Sequence, residues 1–230
     1  FELAQGNYQG LFQKPDFKKS EEDKHDRRER MWDKEEAERI FEQIKQSAEA
    51  GVKETKKRSP QSPGRLYDLT TLQREANRLH HFPASRTLQL AQSLYERHKA
   101  ITYPRTDSKA LPEDYGPICA EVLGKAPGEL ARHAQLVLDS DWVDEKNKRI
   151  FNNKQISDHF AIIPTSTPPS SLDANESKIY NLILKRFISV FYPPAQWDVT
   201  TRMSELGEHQ FKTEGRVLVE PSWLAIYGKD

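Results

Sequence analysis

Apolar and polar positions along the chain follow three patterns in turn. Short apolar runs broken by glycines in residues 1–15 predict short strands. Within residues 33–191 the apolar positions recur mostly every three or four residues, which predicts helices. In residues 197–226 they alternate, which predicts antiparallel strands. Strands at both ends with helices between them predict an α+β fold in which the two chain ends meet in one domain.

The helical stretch contains several candidate N-terminal caps. They are Asp33 with Glu36, Thr70 with Gln73, and Ser85. The first helix has an apolar stripe that reaches Ala48 before Gly51 ends it, and the second is expected to bury Leu79. Further helices are predicted over residues 112–123, 128–138 and 173–191.

Two segments interrupt these patterns. Residues 18–30 are almost all charged and have no apolar face to bury, so we expect a loop. Residues 59–64 contain two prolines, two serines and a glycine, which is typical of a linker. We therefore expect a β-rich domain built from residues 1–63 and 192–230, and a mainly helical domain built from residues 64–191.

Composition narrows the class of protein. The chain has 230 residues, a hydrophobic fraction of 36% and 35 basic against 35 acidic side chains. No apolar run approaches the roughly 18 residues that a membrane-spanning helix needs, so no membrane partner is expected. Cys119 is the only cysteine, which excludes an internal disulfide and favours a reducing compartment. Because the chain opens with Phe1, we expect it to be part of a longer polypeptide.

The balanced net charge hides a basic segment. Residues 56–109 hold eleven Lys or Arg side chains against four Asp or Glu side chains. A concentrated basic surface is the electrostatic footprint expected for a polyanion such as nucleic acid.

The same segment contains the stretch Ile-Thr-Tyr-Pro-Arg-Thr-Asp-Ser over residues 101–108. A tyrosine oxygen can form a covalent intermediate, and an arginine binds phosphate through a planar, always-charged fork. Tyr103 and Arg105 therefore suit an attack on a phosphodiester. Taken alone, Tyr-x-Arg is common, and a half-buried strand tyrosine beside a surface arginine is the simpler interpretation.

The longer stretch resembles the active-site signature of the type IA DNA topoisomerases, most closely that of the topoisomerase III branch. Two further segments match that family in order: Leu-Tyr-Asp-Leu-Thr-Thr-Leu-Gln-Arg-Glu-Ala-Asn at residues 66–77, and Ser-Asp-His-Phe-Ala-Ile-Ile-Pro-Thr at residues 157–165. The resemblance implies that Tyr103 is the nucleophile and that His159 contacts the scissile phosphate with Arg105. Topoisomerases III usually carry a second histidine where this chain has Phe160.

The resemblance also implies an architecture and a partner. A β-rich arch would lead into and out of a winged-helix-like domain that carries the tyrosine, and the partner would be single-stranded DNA. Arg74, Arg78 and Arg86 on the polar helix faces are the candidate DNA contacts, with solvated surface positions as the alternative. The implied location is the bacterial cytoplasm, in association with the nucleoid.

Magnesium in this family is held by the acidic residues of a separate toprim domain. The sequence has only one Asp-x-Asp triplet, at residues 139–141, and we interpret it as a turn. We therefore expect no metal site in this chain, and we expect the toprim and gate domains to be supplied by other parts of the same polypeptide.

The resulting hypothesis is ATP-independent cleavage and religation of single-stranded DNA through a 5′-phosphotyrosyl intermediate, with little activity in this chain alone. The alternative is a non-catalytic module that binds single-stranded nucleic acid and stacks Tyr103 on a base. A tyrosine recombinase would need further catalytic arginines and histidines in its own pattern, which the sequence does not show.

Overall fold

A computed structural model describes residues 1–3, 6–19, 25–47 and 49–229. The chain divides into two compact units. One contains residues 1–60 and 196–220 and holds the main β-sheet, and the other contains residues 61–195 and 221–230 and is mainly helical. The fold is mixed α and β with an antiparallel sheet, as the hydrophobic pattern predicts.

The sheet unit contains six strands and one helix among its described residues. They are β1 (Glu2–Leu3), β2 (Gly6–Asn7), β3 (Leu11–Gln13), α1 (Lys34–Lys45), β4 (Gly51–Gln61), β5 (Ala195–Leu206) and β6 (His209–Glu220). The main sheet has the order β3-β6-β5-β4, and β1 pairs with β2 separately. A two-residue loop joins β5 to β6 antiparallel, and Gly207 in that loop has a φ of 59°, which glycine adopts without strain. Arg58 bonds Asp198 at 2.7 Å beside the β4 edge.

The helical unit is organised around its longest helix. Its helices are α2 (Leu69–His80), α3 (Ala84–Glu96), α4 (Gly116–Gly124), α5 (Leu130–Asp139) and α6 (Ala174–Ser189), with short 3-10 helices at Asn153–Gln155 and Ser222–Tyr227. Asp173 and Glu176 form a capping box at the start of α6. Ile179, Ile183 and Phe187 recur at helical spacing and are buried, so α6 can pack against α2, α3 and α5.

Three predicted helix features are wrong. Helix α2 begins one residue before Thr70, because the Asp68 carboxylate accepts a 2.7 Å bond from the Thr71 amide and takes the cap position. Helix α3 has Pro83 rather than Ser85 as its N-cap, since the Pro83 carbonyl accepts the first helical bond, at 3.0 Å from the Thr87 amide. Leu79 is exposed rather than buried.

Other element boundaries also differ from the prediction. Helix α1 has the predicted Asp33 cap but ends at Lys45 with Gln46 as its C-cap, and Ala48, the last residue of the predicted stripe, lies outside the described residues. Part of the expected charged loop, residues 20–24, lies outside them as well. Strand β4 runs through the predicted linker as far as Gln61.

The predicted strands extend too far toward the C-terminal end. The strands end at Glu220, and Ser222–Tyr227 forms a 3-10 helix that packs on α6. Leu224 and Ile226 are buried, which explains why residues 221–230 belong to the helical unit although the hydrophobic pattern assigned them to the β-rich domain.

Candidate active site

Tyr103 lies on an extended segment that follows α3. The predicted strand is reduced to a single β-bridge between Ile101 and Pro164. The segment that carries His159 forms this bridge and a second one, from Ile162 to Tyr67. The three sequence motifs, at residues 66–77, 101–108 and 157–165, are therefore brought together within the helical unit.

The rings of Tyr103 and His159 are in contact. Their centroids are 4.3 Å apart with an interplanar angle of 47°. Tyr95 of α3 also packs on Tyr103, in an edge-on arrangement at 5.4 Å and 75°. Tyr103 is half-buried and His159 is exposed, so the Tyr103–His159 pair lies at the protein surface and can be reached by a polymer.

Arg105 lies two residues beyond Tyr103, and its side chain is exposed. Within the described ranges, its guanidinium has no ion-pair or hydrogen-bond partner in the protein. Thr106, the next residue, is buried and its carbonyl accepts a 3.0 Å bond from the Leu69 amide at the start of α2. The backbone next to Arg105 is therefore anchored while its side chain faces solvent, an arrangement suited to binding an anion.

Three other tyrosines of the helical unit, Tyr67, Tyr180 and Tyr192, are buried and therefore poorly placed to act as nucleophiles. Tyr67 is 1% exposed, and burial raises the pKa of its phenol. Burial likewise raises the pKa of Tyr180 to about 12, and it raises the pKa of Tyr192. Tyr103 differs from these three because its ring is partly open to solvent.

The candidate DNA-contacting arginines lie on α2 and α3. Arg74 and Arg78 are exposed, and Arg78 bonds Glu75 at 3.2 Å. Arg86 is half-buried and bonds the Gln89 side chain at 2.7 Å. In the part of the chain that the structure describes, no contact links these arginines to Tyr103 or His159, so their role stays a prediction.

The structure adds contacts around the site that the sequence does not predict. Tyr95 falls in the apolar stripe of α3 and reads as a core residue, although its ring touches Tyr103. Phe160, which replaces the second histidine of the family pattern, packs on Tyr115 with ring centroids 4.9 Å apart. Two threonines that flank Tyr103 also bond the histidine-bearing segment. The sequence signal for these bonds was the threonine hydroxyl itself, because Ser and Thr side chains often hydrogen-bond to backbone groups outside regular elements.

Among the described residues there is neither a cluster of metal ligands nor a helix that could span a membrane. No group of three or more His, Cys, Asp or Glu side chains is placed to hold a metal ion among residues 1–3, 6–19, 25–47 and 49–229. In the same ranges, no helix combines the length and the apolar character required to cross a bilayer.

Comparison with known proteins defines the class. The family model described as DNA topoisomerase matches residues 7–230. Full-length topoisomerase I of Thermotoga maritima has a similar fold, with a TM-score of 0.57 and 20% identity over 88% of this chain and 33% of that one. The chain therefore belongs to the DNA topoisomerase family.

The curated relatives specify the branch. DNA topoisomerase 3 of Bacillus licheniformis is 40% identical over 179 residues, which cover 76% of this chain and 24% of the relative. DNA topoisomerase 3 of Bacillus subtilis is 37% identical over 211 residues, which cover 90% of this chain and 28% of the relative. The branch is topoisomerase III of the type IA enzymes, and the chain spans about a quarter of the length of these relatives.

Proposed function

We propose that this chain supplies the tyrosine half of a type IA topoisomerase active site, which cleaves and religates single-stranded DNA without a nucleotide cofactor. The contact between the rings of Tyr103 and His159, with the exposed guanidinium of Arg105 two residues away, carries the proposal. It combines a nucleophile with two groups that bind phosphate oxygens.

The proposed step is a transesterification at phosphorus. The Tyr103 phenol loses its proton, and its oxygen forms a bond to the phosphorus of a DNA phosphodiester. The bond from phosphorus to the 3′ oxygen breaks, and that oxygen takes up a proton to become a free 3′-hydroxyl. The 5′ end stays linked to the enzyme. Attack by the 3′-hydroxyl reverses the step, so the bond energy is conserved and no ATP is consumed.

Arg105 and His159 would act on the charge of this reaction. Phosphoryl transfer depends mainly on positioning and on neutralising the equatorial oxygens. The guanidinium can bind two of these oxygens at once, and the imidazole can donate a hydrogen bond to a third. Arg74, Arg78 and Arg86 would follow the DNA backbone on either side of the cleavage site and would add salt-dependent affinity.

The remaining parts of the proposal follow the family. The sheet unit would form part of the β-rich arch, and the helical unit would be the winged-helix-like tyrosine domain. The described residues do not fit a magnesium site, since their acidic side chains form no cluster of ligands. Magnesium would be held by a toprim domain, and a gate domain would complete the ring. The enzyme would act in the bacterial cytoplasm.

An adduct assay tests the proposal. An end-labelled single-stranded oligonucleotide is incubated with the chain alone, and with a chimera in which the chain replaces the matching segment of DNA topoisomerase 3 of Bacillus subtilis. Denaturation then captures any covalent adduct. We expect a 5′-linked adduct with the chimera and little with the chain alone. Tyr103→Phe should abolish it while DNA binding persists, because phenylalanine keeps the ring and lacks the nucleophile.

Two outcomes would contradict the assignment. An adduct that survives Tyr103→Phe would mean that another side chain attacks. Intact DNA binding with no adduct in any arm would favour the non-catalytic binding module.

Arg105→Ala provides a second readout in the same assay. Because the guanidinium is proposed to stabilise the transition state, we expect the cleavage rate to fall about 100-fold or more while the affinity for DNA falls much less. Equal losses in cleavage and in affinity would make Arg105 an ordinary backbone contact.

A further inference from the structure

No regular sheet joins the segment that carries Tyr103 to the segment that carries His159. We define the tyrosine segment as residues 99–110 and the histidine segment as residues 155–165. Backbone bonds join them at both ends, from the Thr165 amide to the Ala100 carbonyl and from the Ala161 amide to the Ala110 carbonyl, each at 2.9 Å. The last backbone bond before Tyr103 runs from the Thr102 amide to the Ile163 carbonyl, also at 2.9 Å.

From Tyr103 to Lys109, the described residues show no backbone bond between the two segments. This interval contains the nucleophile and lies opposite the histidine. Because no backbone bond joins the two segments over this interval, side-chain bonds are the direct links between them near the two rings.

The Thr102 hydroxyl bonds the histidine segment just before the nucleophile. Its oxygen donates to the Ala161 carbonyl at 2.9 Å and accepts from the Ile163 amide at 3.0 Å. Both hydrogen-bonding functions of one side chain are therefore used on the opposite segment. The backbone at Tyr103 is held at its N-terminal side.

The Thr106 hydroxyl acts at the other side. It donates to the carbonyl of His159 itself at 2.8 Å and accepts from the Ser108 amide at 3.0 Å. Thr106 is buried, and its own carbonyl is bound by the Leu69 amide. The backbone of His159 is thereby tied to the turn that carries Arg105, and through it to the start of α2.

We propose that Thr102 and Thr106 are positioning residues, whose hydroxyls hold the Tyr103 phenol and the His159 imidazole in register for the attack on phosphorus. The proposal rests on the function proposed above and adds to it the groups that create the geometry. Neither hydroxyl needs to touch DNA. Valine at either position keeps the shape of threonine but leaves two backbone groups without a partner, whereas serine keeps the hydroxyl.

The first test measures geometry in the 230-residue chain by nuclear magnetic resonance. In the wild type, the contact at 4.3 Å should give a cross-peak between the Tyr103 and His159 ring protons. Thr106→Val should weaken or abolish it, and Thr106→Ser should retain it. The matched control is Thr213→Val in the sheet unit, which also removes a threonine hydroxyl that donates to a carbonyl at 2.8 Å. An unchanged cross-peak in a folded Thr106→Val chain would overturn the proposal.

The second test measures cleavage in the chimera with saturating DNA. Because small misplacements at a reacting centre cost up to about 100-fold in rate, we expect Thr106→Val to slow adduct formation about 10- to 100-fold with unchanged DNA affinity. Thr106→Ser should restore most of the rate, and Thr213→Val should match the wild type. Thr102→Val with Thr102→Ser repeats the comparison if Thr106→Val does not fold.

The two proposals fail in different ways. If Tyr103→Phe abolishes the adduct while both threonine-to-valine variants cleave at the wild-type rate, the positioning proposal is wrong and the proposed function stands. If Tyr103→Phe still forms the adduct, the proposed function itself is wrong. A parallel loss of rate and affinity in Thr106→Val, without rescue by serine, would mean that the threonine is only structural.

Discussion

Replacing the buried carboxylate of Glu176 should destabilise the helical unit. The Ser93 hydroxyl donates to this carboxylate at 2.6 Å and the Asp173 amide donates to it at 3.0 Å. The ring nitrogen Nε2 of His98 lies 3.2 Å away. These contacts join the C-terminal part of α3 to the start of α6, just before the segment that carries Tyr103.

The magnitude follows from the hydrogen bonds. Glu176→Gln keeps one side-chain oxygen as an acceptor. It replaces the other oxygen, which accepts a hydrogen bond, by an NH2 group, which can only donate. The variant loses a charge-assisted hydrogen bond and places donor against donor, so we expect a loss of about 2–4 kcal/mol in the free energy of unfolding near pH 7.

The loss should depend on pH in a defined direction. The hydroxyl of Ser93, followed by the backbone amide of Asp173, lowers the pKa of the Glu176 carboxyl from 4.5 to about 2. A carboxyl whose pKa is lower in the folded state stabilises it fully above the unfolded pKa and loses that effect as pH falls through the folded one. The difference between wild type and Glu176→Gln should therefore be constant above about pH 5 and shrink toward pH 2.

Urea unfolding monitored by fluorescence measures this difference. Replacing Trp32 and Trp197 by phenylalanine removes the tryptophans of the sheet unit, so the signal reports the helical unit. The matched control is Glu121→Gln, which removes an exposed carboxylate of α4 that forms a surface ion pair with Lys125, and it should leave stability nearly unchanged. The reasoning is refuted if Glu176→Gln stays within about 0.5 kcal/mol of wild type, as surface substitutions do, or if its deficit does not change between pH 6 and pH 3.

Two further predictions concern packing and reactivity. Gly64→Ala would place a Cβ 2.9 Å from the Cζ atom of Arg186, and it should lower the free energy of unfolding by about 1–3 kcal/mol in the same assay. The control is Gly124→Ala, whose Cβ would meet no atom within 4 Å and which should be neutral or slightly stabilising. Equal effects of the two substitutions would contradict the packing argument. Cys119 is buried and burial raises its pKa to about 12, so a thiol reagent at pH 8 should modify it only as the protein unfolds, and fast modification of the folded chain would refute this.

Local sequence signals located the helices and strands better than they located the residues at which these elements begin and end. The 3.6-residue period locates α6 because Ile179, Ile183 and Phe187 all face the core. The N-cap of α2 was misplaced by two residues, since Thr70 and Asp68 are both good caps and only the folded chain shows which carries the hydrogen bond. The strand prediction over residues 221–226 failed because residues 223–227 are continuously apolar, and a short apolar run does not distinguish a strand from a buried helical turn.

The site itself could be predicted only through the family resemblance. Tyr103 and His159 are 56 positions apart, and no periodicity relates them. The β-structure that joins their segments is a single bridge between Ile101 and Pro164, which leaves no run of alternating residues to detect. Propensity alone would place Tyr95 in the core, and only the fold turns its ring edge toward Tyr103.

The irregular backbone explains the composition of the two segments. A regular ladder would satisfy each amide and carbonyl by backbone pairing, and the opposing side chains could then be chosen for packing alone. Here single bridges leave amides and carbonyls near Tyr103 without backbone partners, and the hydroxyls of Thr102, Thr106 and Ser108 take their place. The hydroxyl-rich sequence around the tyrosine is therefore a consequence of building the site outside a sheet.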